Sequence, residues 1–165
     1  VLLRLLRVLA WSWEDLAMDD GRHAVVASLS PLARSADYRD RADAGRAMAV
    51  FADVQQARES LLELVLDPRD TFVTRVTTEA LLRRQDKFGY AVVSRALAVA
   101  DDNHSDWIHT TIADVVGVYG RERDAAVREC RALLNDADGH VRTGSRLLMT
   151  ALTNLAPVLL GPEAT

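Results

Sequence analysis

One apolar template recurs five times along the chain, and this restricts the fold more than any other feature. The anchors stand at the first, fifth, ninth and twelfth places of each segment, and the first anchors are Leu5, Asp40, Val73, Ile108 and Val141, at steps of 35, 33, 35 and 33 residues. The second anchors are Leu9, Ala44, Thr77, Ile112 and Ser145, and the third are Trp13, Met48, Leu81, Val116 and Met149. Leu16, Phe51, Arg84, Tyr119 and Leu152 hold the fourth place; Asp40 and Arg84 are the two clear misfits. Spacings of four, four and three put all four side chains on one stripe of a helix. These are the A helices. Between them run second apolar patterns, the B helices: Ala24, Val25 and Val26; Ala57, Leu61, Leu64 and Val65; Val92, Val93, Ala96, Leu97 and Ala100; Ala126, Val127, Cys130, Leu133 and Leu134. One such pair cannot bury its apolar face alone, so stacked neighbours must supply the core.

Turn chemistry falls at the same period. Three B helices end in acidic turns, Asp67-Pro68-Arg69-Asp70, Asp101-Asp102-Asn103 and Asn135-Asp136-Ala137-Asp138-Gly139. Such side chains bond their own backbone or cap the next helix. Breaks between A and B helices are expected at Asp19-Asp20-Gly21, Ala52-Asp53, Phe88-Gly89 and Gly120-Arg121. Pro31 falls inside the first B pattern, where it is expected to kink or shorten the helix. The fold class expected is all-α, an α-solenoid of about four to five antiparallel helix pairs in one domain spanning 1–165. Its approximate repeats are 2–37, 38–70, 71–105, 106–139 and an incomplete 140–160.

An acidic turn followed by a Val-Arg start, best seen from Asp136 to Val141-Arg142, resembles HEAT repeats of the short bacterial kind. The resemblance covers roughly residues 2 to 160. The arginine after the first anchor is present as Arg41 and Arg142, whereas Leu6, Thr74 and His109 occupy that place elsewhere. Tetratricopeptide repeats share a period of about 34, but their tryptophan, glycine and tyrosine pattern does not recur in the A helices. The HEAT resemblance implies that the B helices line a concave side and that this side binds protein partners.

With 165 residues and 49% hydrophobic side chains, the chain can bury a real core, and only 8 glycines and 4 prolines point away from a turn-rich β fold. A net charge of −4 argues against a dedicated nucleic-acid binder, which needs a surplus of cations. Lys87 is the single lysine, and Asp outnumbers Glu 17 to 7, a bias of the kind GC-rich bacterial coding produces. The lone cysteine, Cys130, rules out an internal disulfide framework and fits a reducing cytoplasm. Arg4 and Arg7 interrupt the opening apolar run, which reads as an amphipathic helix rather than a targeting segment. No stretch approaches the ~20 apolar residues of a membrane span, and a soluble cytoplasmic protein is expected. The opening Val1 fits either a piece of a longer protein or a start codon written as valine.

The sequence carries no recognisable catalytic motif. His23, His104, His109 and His140 lack metal-ligand spacing, and one cysteine cannot build a zinc cluster. His104, Asp106 and His109 crowd one turn with Asp101 and Asp102, where helix capping accounts for the acids most simply. The Asp136-Ala137-Asp138-Gly139 turn lacks the first ligand and the bidentate glutamate of a calcium loop. Neither a phosphate-binding G-x-x-x-x-G-K nor a G-x-S-x-G elbow is present. No metal or cofactor is therefore expected. Cys130 lies on the apolar stripe of its helix and reads as a buried hydrophobe. Trp13 takes a core anchor, Trp107 is expected in the joint between repeats, and Trp11 is either covered by an additional repeat or exposed as a binding anchor. With the B stripes inward, Gln56, Glu59, Glu63, Arg95, Arg128 and Glu129 share the concave surface. The expectation is a non-catalytic scaffold that holds a protein on that surface. The alternatives are a role like that of the HEAT-like bilin lyases, which need a polar pocket on the B helices, and nucleic-acid binding like that of HEAT-like glycosylases, which needs a continuous basic band.

Overall fold

A computed structural model describes residues 2–159, with side chains from residue 18 onward. The class is all-α. Eight helices are described: α1 (Leu2–Ala33), α2 (Tyr38–Ala49), α3 (Gln55–Val65), α4 (Thr71–Arg83), α5 (Lys87–Leu97), α6 (Asp102–Val116), α7 (Gly120–Leu133) and α8 (Gly139–Asn154).

The acidic turns act as helix caps. Asp37, Asp70, Asp86, Asp101 and Asp138 each accept a hydrogen bond from a backbone amide of the first turn of α2, α4, α5, α6 and α8 respectively. Each satisfies an amide that has no partner within its own helix. Five of the 17 aspartates thus serve as caps, since the short side chain reaches its own helix start.

Buried faces follow the apolar stripes. Ala44, Met48, Val73, Thr77, Leu81, Ile108, Ile112, Val116, Val141, Ser145 and Leu152 are all buried, as are Ala57, Leu61, Leu64, Val65, Val92, Val93, Ala96, Leu97, Ala126, Cys130 and Leu133. Leu148 is buried beside Met149, which only packs against the core edge. Trp107 is not enclosed: it remains 37% exposed, against the expectation that it fills a joint. Both misfits have roles. Asp40 accepts from Ser35 Oγ at 2.7 Å, and Arg84 donates through Nη1 to the carbonyls of Ala49, at 2.8 Å, and Val50 at the end of α2. Arg84 thereby caps a preceding helix whose last carbonyls lack intrahelical partners.

The α2, α4 and α6 helices pack side by side, and α3 packs against α5, which packs against α7. The α1 helix leans on α2 and α3. The expected break at Asp19-Asp20-Gly21 does not occur, because α1 runs unbroken through it, so the span 2–37 holds one long helix rather than a pair. Gly21 has no positive φ, and a lone glycine costs a helix only about 1 kcal/mol, too little to end it without a competing turn. Pro31 is tolerated one turn from the end, where the chain closes with Arg34 N–H donating to Pro31 O at 3.2 Å. Of Ala24, Val25 and Val26, only Val26 is buried.

The α8 helix departs from the regular stacking order. It lies mainly across α5 and α7, its contact with α5 being the most extensive between any two of the described helices, and touches α6 far less. Glycine makes this crossing feasible: a Cβ on Gly144 would sit 1.6 Å from the Ser94 carbonyl oxygen of α5. Beside it, Ser145 Oγ donates to Ser94 Oγ at 3.1 Å inside the seam. After α8 the chain returns along the α6–α7 turn, with Val158 N–H on Gly117 O, Leu159 N–H on Val118 O and Gly120 N–H on Leu159 O. Among the described residues no helix is long and apolar enough to cross a membrane.

Candidate functional site

Because α8 crosses α5, the turn before α8 is carried next to α3 and closes a slot of about 220 Å³. Its walls are Gln55, Arg58 and Leu62 of α3, Ala91, Val92 and Arg95 of α5, and Asp136, Ala137, Asp138 and Val141. On α3 the residues 55, 58 and 62 share one face by helical spacing, as do 91, 92 and 95 on α5. Apolar Leu62, Ala91, Val92 and Val141 line part of the space, and polar groups line the rest. The volume lies below the roughly 300–1,000 Å³ of small-molecule pockets.

The two acids on this wall are already engaged. Asp136 Oδ1 accepts from the Asp138 amide at 2.8 Å, and Asp138 Oδ1 accepts from the His140 amide at 2.8 Å. Asp138 Oδ2 also faces Arg95 Nε at 3.5 Å, so Arg95 is partly neutralised by the chain itself. Arg58 is different: among the described residues it forms no ion pair, and its buried Nε carries no hydrogen-bond partner.

Of the residues named from sequence, Arg95 lines the slot. Gln56, Glu59 and Glu63 are exposed and stand one residue, about 100°, round α3 from its wall. On α7, Arg128 is exposed and Glu129 half-buried, and neither borders the slot. Trp11 belongs to α1, and its side chain lies outside the described residues. Sequence reasoning missed Gln55, Arg58 and the pair Asp136 and Asp138. A signal was present in Leu62, an apolar residue beside rather than on the stripe of Ala57, Leu61 and Leu64.

Elsewhere the polar groups serve structure. Arg41, 1% exposed, donates to the Asp67 carboxylate through Nε at 2.6 Å and Nη2 at 3.2 Å, and through Nη1 to the carbonyls of Ser35 and Ala36 at 3.0 Å. Arg142 repeats the local half of this pattern on the carbonyls of Asp136 and Ala137, at 2.7 and 2.9 Å. Burial opposes ionisation of Asp67, but hydrogen bonds from Arg41 and from the Arg69 and Asp70 amides outweigh it and lower its pKa. His104 links this turn to the next: Nδ1 lies 2.6 Å from Asp101 Oδ1 and Nε2 lies 3.1 Å from the Asp67 carbonyl oxygen. Burial works against its charge, but these two acceptors prevail and raise its pKa. The link runs Arg41–Asp67–His104–Asp101, with histidine completing what arginine begins.

A shallower groove of about 540 Å³ lies at the start of α2 and α4. There Tyr38 and Phe72 meet edge to face at 5.8 Å and Arg39 stacks over Tyr38. Neither hollow is lined by a serine, cysteine or histidine. Cys130 is buried, and desolvation, with Glu129 nearby, pushes its thiol up to about 12, which leaves it protonated. No group of three or more metal-ligating side chains comes together among the described residues. Compared with family models, with curated proteins and with solved structures, the chain matches none.

Proposed function

We propose that the chain is a HEAT-like helical-repeat scaffold that holds a protein partner on its B-helix side. The observation that carries this reading is the slot between α3, α5 and the turn before α8, which sets an unpaired arginine among apolar side chains on that side. Pockets of this make-up anchor single side chains of a partner, with Arg among the residue types that dominate binding energy. The mixed charge supports a protein rather than a polyanion, since Asp136 and Asp138 share the wall with Arg58 and Arg95 while Glu59 and Glu63 stand exposed beside it. The small volume weighs against a role like that of bilin lyases, because a tetrapyrrole needs a far larger cavity.

Affinity purification from the native host followed by Arg58→Glu and Arg95→Glu variants tests the reading. The expected result is a partner that binds the wild type and loses at least about tenfold in affinity with either folded variant, a change of roughly 1.4 kcal/mol. A partner held equally well by both variants removes this side from consideration.

A further inference from the structure

We infer that the slot receives one carboxylate-bearing side chain, a Glu or Asp of a bound protein segment, with its carboxylate on the guanidinium of Arg58 and its stem against Leu62, Val92 and Val141. The inference rests on the B-helix side being the binding side, and adds what that side recognises.

Three observations lead to it. The slot holds about 220 Å³, room for a side chain rather than a drug-sized ligand. Its two arginines differ in state: Arg95 has Asp138 at 3.5 Å, whereas Arg58 has no ion-pair partner among the described residues and a buried Nε without an acceptor. The Nε itself is enclosed, so an incoming group meets the Nη1–Nη2 end of the guanidinium, and a planar carboxylate is the group that fits that fork with two parallel bonds. Finally, Asp136 accepts from the Asp138 amide in the turn and Asp138 caps α8 through the His140 amide, and neither acid forms an ion pair with Arg58 among the described residues. The chain has acids at hand and does not spend them there. The neighbouring apolar wall selects for an acid carried on a short hydrocarbon stem over a free inorganic anion, which would leave Leu62, Val92 and Val141 against water.

The test is a two-dimensional ¹⁵N–¹H NMR titration of the full chain at constant ionic strength, with N-acetyl-glutamate amide and its glutamine counterpart as probes. The amide signals of Ala91, Val92 and Val141 are expected to move saturably with the glutamate probe, and about tenfold more weakly with glutamine. Arg58→Gln is expected to erase the difference between the probes. Arg58→Lys, which keeps the charge but not the fork, is expected to reduce it severalfold, and it serves if the glutamine variant does not fold. Equal shifts with both probes, no shift at the slot, or an unchanged preference in the folded variants overturns the proposal. Peptides selected from a displayed random library separate it from the reading it rests on. Selected peptides that shift the slot signals and lose about tenfold when an Asp or Glu is changed to its amide support both. Peptides that shift those signals without an acidic residue leave the binding side standing and sink the carboxylate, while peptides that shift only Tyr38 and Phe72 sink both.

Discussion

Arg41 and Asp67 show how one buried charge is made tolerable. The guanidinium meets two carboxylate oxygens and two backbone carbonyls, and the carboxylate also accepts from the Arg69 and Asp70 amides, each at 2.9 Å. Removing the acid strands more groups than removing the base. Asp67→Ala is therefore expected to cost about 3–5 kcal/mol, and Arg41→Met less, about 2–3 kcal/mol, because Asp67 keeps its two amides. Urea denaturation of both variants checks the order; the reverse order means the amides do not sustain the acid. Asp67 has a lowered pKa, so its contribution is present above the ordinary value of 3.8 and fades as pH falls through the lower folded value. His104 runs the other way. Both ring nitrogens face acceptors, which demands a proton on each, and the folded pKa stands above the ordinary 6.5. Its contribution is complete below 6.5 and is lost as pH rises through the folded value. The gap in melting temperature between wild type and His104→Gln is thus expected to be widest in mildly acidic buffer and to close in alkaline buffer. A gap independent of pH refutes a charged clamp.

Helices α5 and α8 meet at a separation only glycine permits. Gly144→Ala puts a methyl group 1.6 Å from a backbone carbonyl that cannot rotate away, and is expected to destabilise by about 3 kcal/mol. Gly45→Ala offers a control, since its new methyl meets the Thr77 side chain, whose hydroxyl has no partner to lose. Thermal denaturation is expected to rank Gly144→Ala well below Gly45→Ala; equal melting temperatures mean that α8 can slide on α5. The seam also explains why α8 leaves the side-by-side order of α2, α4 and α6. Gly144 and Ser145 give it a flat, narrow face that fits Ser94, and Val141, Leu148 and Leu152 continue the same stripe.

At the scale of the whole molecule, amide hydrogen exchange is expected to place the middle of α5 and of α8 in one slow group with a shared opening free energy. In an array joined only by nearest neighbours, α8 as an outer helix frays first; early exchange of α8 would show that the seam does not tie the fold together. Helical class, caps and most buried positions were legible in the sequence, because a stripe such as Val73, Thr77 and Leu81 depends only on local periodicity. The continuity of α1 was not, since Asp19, Asp20 and Gly21 favour a turn only where tertiary contacts reward one. Little of the slot was legible: of the residues read from sequence only Arg95 lines it, and Arg58 joins it through the α8 crossing, which is set by backbone approach at Gly144 rather than by any pattern of polarity. The crossing also has a consequence in time. During synthesis Ser94 emerges roughly fifty residues before Gly144, and at about 5–20 residues per second the face around Ser94 waits some 2.5–10 seconds for its cover. A nascent chain paused inside that interval presents a bare helix flank, the kind of transiently exposed surface that favours aggregation.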